Sequence, residues 1–325
     1  TPGRFAMENS APLLTIGTGV VVRADAGSSL NPIQGAVAVD GTLLAAGTSV
    51  NISATSITEG AGGSIETGTL TARGNDGDVL LTGSNQVDQL GGSSANGDFT
   101  LNDTVALVVA GGTVIASGTL SLSTPETLTI TGELDGGTVV LAGGQGIGGF
   151  GVIAASLLTA NAAEGDVSLQ GSNRVDQLGA SAASGDFAFN DVQGLTVPAG
   201  STVTAGGTLT LTTSDTLSVA GQLGGAFVLL SGDNGIAETG AGYVTAGTLS
   251  VANTTGDILL AGSNDVAVLD SVTSPGRFVL NNVAPTMEVP AGHIIGADGG
   301  ITLSLTGALA LDGSLLANGA TGDIT

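Results

Sequence analysis

The chain has 325 residues, of which 56 are glycine, none is cysteine, tryptophan or lysine, and 28 are acidic against five arginines, leaving a net charge of −23. That excludes a disulfide scaffold and a cysteine-based zinc centre, and an acidic surface repels the phosphates of nucleic acids and anionic lipid headgroups. Eight prolines without a glycine at every third position exclude collagen, and a mean hydropathy of +0.44 carried by Val, Leu, Ile and Ala excludes a disordered chain.

The N-terminal TPGRFAMENS lacks the basic and apolar blocks of a secretory leader. No uninterrupted apolar stretch reaches about 18 residues, so no transmembrane segment is expected. The absence of cysteine fits an extracellular protein that avoids unwanted disulfides.

Repeats organise the rest. The phrase GDVLLTGSNQVDQL at 77–90 returns as GDVSLQGSNRVDQL at 165–178 and as GDILLAGSNDVAVL at 256–269, 88 and 91 residues apart. Nine residues beyond the last Leu of each copy stands Phe99, Phe187 or Phe278, and Phe5 opens a fourth version of the same phrase. The outer copies match each other: TPGRF at 1–5 with SPGRF at 274–278, and GAVAVDGTLLAAG at 35–47 with GALALDGSLLANG at 307–319. Long repeats fall at 1–94, 95–182, 183–273 and 274–325, the last incomplete, within one continuous array over 1–325.

A finer rhythm runs inside them. Glycine-led segments such as GDVLL at 77, GDFTL at 97, GTLSL at 118 and GTVVL at 137 recur mostly every 18 to 22 residues. Each alternates apolar and polar residues with period two, the pattern of a strand. Gly, Asn, Asp and Ser cluster between strands, as tight turns with left-handed backbone would require. No 3.6-residue periodicity is sustained. The expected fold is an all-β, right-handed β-solenoid (β-helix) of coils of about 20 residues, about 15 of them, making a rod of about 70–75 Å. An array of β-sandwiches of about 90 residues competes, but the short rhythm crosses the long-repeat joins without a linker.

With its GTLTL, GDVSL and GSN phrases on strands about 20 residues apart, the whole chain resembles the filamentous-haemagglutinin-type exoproteins of Gram-negative bacteria. The resemblance implies a right-handed solenoid exported by two-partner secretion and used in adhesion or biofilm matrix. The secretion domain of that class would carry an Asn-Pro-Asn motif. NPIQG at 31–35 departs after two residues and sits inside a repeat, so it is not counted as one.

Catalysis is not expected, and no catalytic, cofactor-binding or metal-ligating set is assigned. Without Cys and Lys, thiol and Schiff-base nucleophiles are unavailable. The one histidine, His293, follows a glycine where other repeats have Val20, Thr113 and Ser201, which marks a variable turn or strand-start site. Carbohydrate binding or cleavage by paired carboxylates is the alternative, although only Tyr243 and seven phenylalanines could stack on sugar rings. Asn85, Asn173 and Asn264 hold one position, and Asn102, Asn190 and Asn281 another. Both rows read as turn chemistry, and copies four coils apart would lie about 19 Å from one another. Asp98 and Asp186 occupy the position of Arg4 and Arg277; at that spacing, beyond the Debye length of about 8 Å, their charges are uncoupled within one chain. No cofactor is expected beyond calcium, the open candidate, at Asp76 and Asp78 in GNDGD. Threonine rows of the ice-binding type, TLTIT at 127–131 and TLTLTT at 208–213, do not recur in every coil.

The sequence begins and stops in mid-repeat, at TPGRF and GDIT. Open solenoid ends offer unpaired backbone, so the expected partners are further copies stacked end to end or the continuation of a longer chain, with host-surface or matrix glycans as contacts. The expected function is a secreted or surface-attached structural rod of a Gram-negative bacterium: an adhesin stalk, surface fibre or biofilm-matrix component.

Overall fold

The computed structural model describes residues 3–32, 34–319 and 323–325. Thr1 and Pro2 of TPGRF, Ile33 of NPIQG and Gly322 of GDIT lie outside the described residues. The fold is an all-parallel β-solenoid of about 16 turns, with coils of about 20 residues and no helix. Two compact units divide it, Thr1–Ala163 and Glu164–Thr325.

In the first unit, alternation sends every second residue inward, and the inward residues pile into ladders from coil to coil. One ladder runs Leu14, Val37, Ile57, Val79, Phe99, Leu120, Val139, Leu158, each paired in parallel register with the next. From Val37 onward every rung is fully buried. The neighbouring outward ladder is Thr15, Ala38, Thr58, Leu80, Thr100, Ser121, Val140, Thr159. One strand thus supplies both faces, and each fully buried aliphatic rung contributes about 1.5–3 kcal/mol of burial.

The second unit repeats the plan. Val167, Phe187, Leu209, Val228, Leu249 and Leu269 form one buried ladder. Leu195, Leu217, Ile236, Ile258, Phe278 and Ile301 form another. The recurrent phenylalanines are therefore core rungs: Phe99 lies between Val79 and Leu120, Phe187 between Val167 and Leu209, and Phe278 between Ile258 and Ile301.

The Gly-Asp phrase has an inter-coil cause. Asp78 Oδ1 accepts the Asp98 N–H of the next coil at 2.8 Å, and Asp98 Oδ1 accepts the Thr119 N–H at 2.7 Å. In the second unit Asp166 accepts from Asp186, Asp186 from Thr208, and Asp257 from Arg277. The residue above each carboxylate is Gly97, Gly118, Gly185, Gly207 or Gly276, where a Cβ would collide with the aspartate oxygen. Glycine is needed there for close approach rather than for an unusual backbone angle.

That corrects the expected turn chemistry. Among the described residues, positive φ belongs to glycines alone. Four of them, Gly19, Gly112, Gly200 and Gly292, precede Val20, Thr113, Ser201 and His293; Thr113 begins a strand, and the other three stand one residue before the strands that start at Val21, Thr202 and Ile294. The corners containing Asn, Asp and Ser keep ordinary backbone and close through side-chain-to-backbone bonds instead.

Candidate functional site

The GSN phrase places its asparagine inside the solenoid. In Val79–Leu90 two residues more stand between Leu81 and Asn85 than between their partners Leu101 and Asp103, so the strand bulges. The same excess occurs between Leu169 and Asn173 and between Leu260 and Asn264. The bulge interrupts the backbone ladder, and the fully buried asparagine replaces the lost bonds. Asn85 Oδ1 accepts the Ile65 N–H (2.8 Å), while its Nδ2 donates to Asn102 O (3.1 Å) and Glu59 Oε2 (3.0 Å). Asn264 does the same: Oδ1 accepts from Val244 N (2.7 Å), and Nδ2 donates to Leu260 O, Asn281 O and Glu238 Oε2, each at 3.1 Å. Asn173, also fully buried, donates to Leu169 O (3.0 Å) and Asn190 O (2.8 Å). The reading of this row as turn residues is overturned, because all three lie within strands and hold one coil to its neighbours.

Acidic partners complete the bracket. Gly83 N–H donates to Glu59 Oε2 at 2.7 Å, and Gly262 N–H to Glu238 Oε2 at 2.6 Å. In both glutamates the second oxygen, Oε1, is buried without a hydrogen-bond partner. Burial pushes Glu238 up to about 7 against its hydrogen bonds from Gly262 and Asn264, and pushes Glu59 upward too. The middle copy has Gly149 at the matching step of its Gly146–Gly149 strand.

One coil above, a second buried side chain caps the far side of each bulge. Asp103 Oδ1 accepts Val87 N–H (3.1 Å), Asp191 Oδ2 accepts Val175 N–H (2.8 Å), and Asn282 Oδ1 accepts Val266 N–H (2.9 Å). Asn282 also donates its Nδ2 to Val266 O (2.8 Å), a bond an ionised aspartate cannot make. Burial pushes Asp103 and Asp191 each up to about 6, with Asp88 and Asp176 as like-charged neighbours, and Arg174 opposing beside Asp191. The bracket bonds one coil to the next, and Glu59 also borders a cleft of about 440 Å³ with Gly83 and Ser84.

Another cleft, of about 680 Å³, lies in the second unit and is lined by His293, Asn253, Ser271, Thr273, Asp298 and Asn318 among others. His293 Nδ1 lies 2.8 Å from Asp270 Oδ1 and 3.1 Å from Asp270 O, so the tautomer with the proton on Nδ1 fits both acceptors. Asp270 stands where the Ile258–Ser274 strand slips register by one residue against Leu249 and Ser250, and this bulge aims its side chain. Among the described residues no hydroxyl is hydrogen-bonded to His293, and Ser271 Oγ is paired with Ser250 Oγ at 2.6 Å. The dyad therefore orients the imidazole in the cleft.

Other sequence readings resolve as follows. Arg277 is paired with Asp257 one coil below at 2.9 Å, a neighbour that the comparison of Arg277 with Arg4, Asp98 and Asp186 four coils apart leaves out. Asp78 is engaged at the Asp98 corner, whereas Asp76 borders a separate groove with Asn31, Gln34 and Asn75. No group of three His, Asp or Glu side chains suited to a metal occurs among the described residues. The TLTLTT row is one coil deep: Thr210 stacks between Ala188 and Leu229, and Thr212 between Asn190 and Ser231. Among the described residues, no helix is long and apolar enough to cross a membrane. The chain matches no family model, no curated protein and no solved structure.

Proposed function

We propose that the chain is a structural, non-catalytic solenoid segment of a filamentous-haemagglutinin-like exoprotein. It would act as a rod or filament outside a bacterial cell, as an adhesin stalk, surface fibre or biofilm-matrix component. The supporting observation is where the polar investment lies. The buried Asn and Asp side chains and the half-buried Glu59 and Glu238 bond coil to coil at recurring positions, as a load-resisting array requires. The strong negative charge fits a surface kept from non-specific association.

A carbohydrate-binding reading draws on the polar Asp270–His293 cleft. It is the weaker reading, because Tyr243 does not line that cleft and no aromatic platform does. Electron microscopy of the purified full chain, with and without a calcium chelator, tests the structural reading. Fibres, or single rods of about 70–75 Å, are the expected result, and loss of fibres on chelation would give calcium a structural role. Compact globules would overturn the proposal.

A further inference from the structure

The sequence contains three Asn-Gly steps, Asn96–Gly97, Asn234–Gly235 and Asn318–Gly319. This dipeptide is the one most prone to intramolecular attack, because glycine puts no side chain in the way. The glycine nitrogen bonds to the asparagine Cγ, the Cγ–Nδ2 bond breaks, and ammonia leaves carrying the proton from the backbone N–H. Water then opens the resulting succinimide to aspartate or isoaspartate, with no change in oxidation state. The step requires a backbone N–H free to lose its proton and an amide free to swing onto it.

The three steps differ in both respects. Gly235 N–H is tied to Gly232 O at 3.1 Å. The Asn234 side chain is clamped as well: Nδ2 donates to Asp215 Oδ1 (2.7 Å) and Oδ1 accepts from Thr255 Oγ1 (2.9 Å). Gly319 N–H is tied to Asp298 O at 2.9 Å. At Asn96–Gly97 the neighbouring donors take the acceptors instead. Asn96 N–H bonds Gly74 O and Gly77 O, and the Asp78 carboxylate against Gly97 accepts from Asp98 N–H. Among the described residues, no hydrogen bond is formed by the Gly97 N–H or by the Asn96 side chain, which is exposed.

We propose that Asn96 is a selective modification site of the folded chain, converting by deamidation to aspartate and isoaspartate while Asn234 and Asn318 are held back by their hydrogen bonds. The matching corners carry Ser184–Gly185 and Pro275–Gly276, so the mark falls on one repeat only. Isoaspartate would lengthen the backbone between Ala95 and Gly97 by one methylene, at a corner whose Gly97 O receives the Gly118 N–H of the next coil at 3.0 Å.

The test is incubation of the full folded chain at mildly alkaline pH, with peptide mapping by mass spectrometry for the mass gain and for isoaspartate, beside a sample held in denaturant. Breaking one backbone hydrogen bond first slows a step by up to about tenfold. Asn96 is therefore expected to react about tenfold ahead of the other two when folded, and at a comparable rate to them when denatured. Deamidation of Asn234 or Asn318 as fast as Asn96 in the folded chain would overturn the proposal. So would an intact Asn96 in a folded sample whose denatured counterpart reacts at all three positions.

Discussion

Replacing Asn264 by alanine is expected to lower the stability of the chain by about 3–5 kcal/mol, since each buried polar group left unpaired costs about 1–3 kcal/mol. The substitution strands Val244 N–H without its side-chain acceptor, removes a donor from Leu260 O and from Asn281 O, and takes one of two donors from Glu238. Asn264→Asp is no rescue at neutral pH, because it keeps the acceptor but sets a carboxylate against Glu238. Ser250→Ala, on the part-buried outer row, serves as the control and removes a single bond to Ser271. Urea unfolding of the full chain checks the difference. A loss below about 1 kcal/mol for Asn264→Ala, the net value of one ordinary hydrogen bond, would mean the bracket does not bind the coils together.

The second large effect is on pH dependence. Glu238, Asp103 and Asp191 are raised in the folded chain to about 7, about 6 and about 6, and Glu59 is raised as well. A folded state that holds protons which the unfolded state releases is favoured by acid. The contribution of these groups is fully present below the ordinary carboxylate values near 4, and is lost as pH rises through 6 and 7. Discounted for partial access of solvent, the three with the largest shifts together make the chain about 3 kcal/mol more stable at pH 5 than at pH 8. The net charge of −23 acts in the same direction, because self-repulsion grows as acids ionise.

Asp103→Asn isolates one group, because Oδ1 already takes both the Val87 and Thr104 N–H bonds and can keep them in the amide. Asn282 shows the amide in the equivalent place. The gain from the variant should be about 1 kcal/mol larger at pH 8 than at pH 5, flattening the profile. Thermal unfolding across that range reads both effects, and a profile that rises toward pH 8 would refute the assignment.

Much of the fold was legible because a solenoid writes its geometry into the sequence. The apolar–polar alternation around Val79, Phe99 and Leu120 and the short glycine rhythm together announce strands stacked one coil apart. The bracket was not legible. Beside glycine and serine, Asn85 has the local chemistry of a turn residue, and only the coils above and below show that it is buried with Ile65 N–H and Asn102 O as partners. A usable signal existed: Glu59 and Glu238 each stand 24 residues before the glycine of a GSN phrase. Pairing charges at the one-coil spacing rather than the four-coil one would likewise have joined Asp257 to Arg277 and Asp270 to His293, 20 and 23 residues apart. Glycine at 97, 118, 185, 207 and 276 is explained by the preceding coil's carboxylate, which no local pattern contains.

Buried polar brackets, set into aliphatic ladders, lock successive coils together. Hydrogen exchange followed by mass spectrometry tests it most directly. The account predicts the slowest exchange at the amides that bond to bracket side chains, Ile65, Val87, Val175, Val244 and Val266, with the exposed corners exchanging far sooner. Exchange at those five amides as fast as at the corner around Asn96 and Gly97 would contradict it.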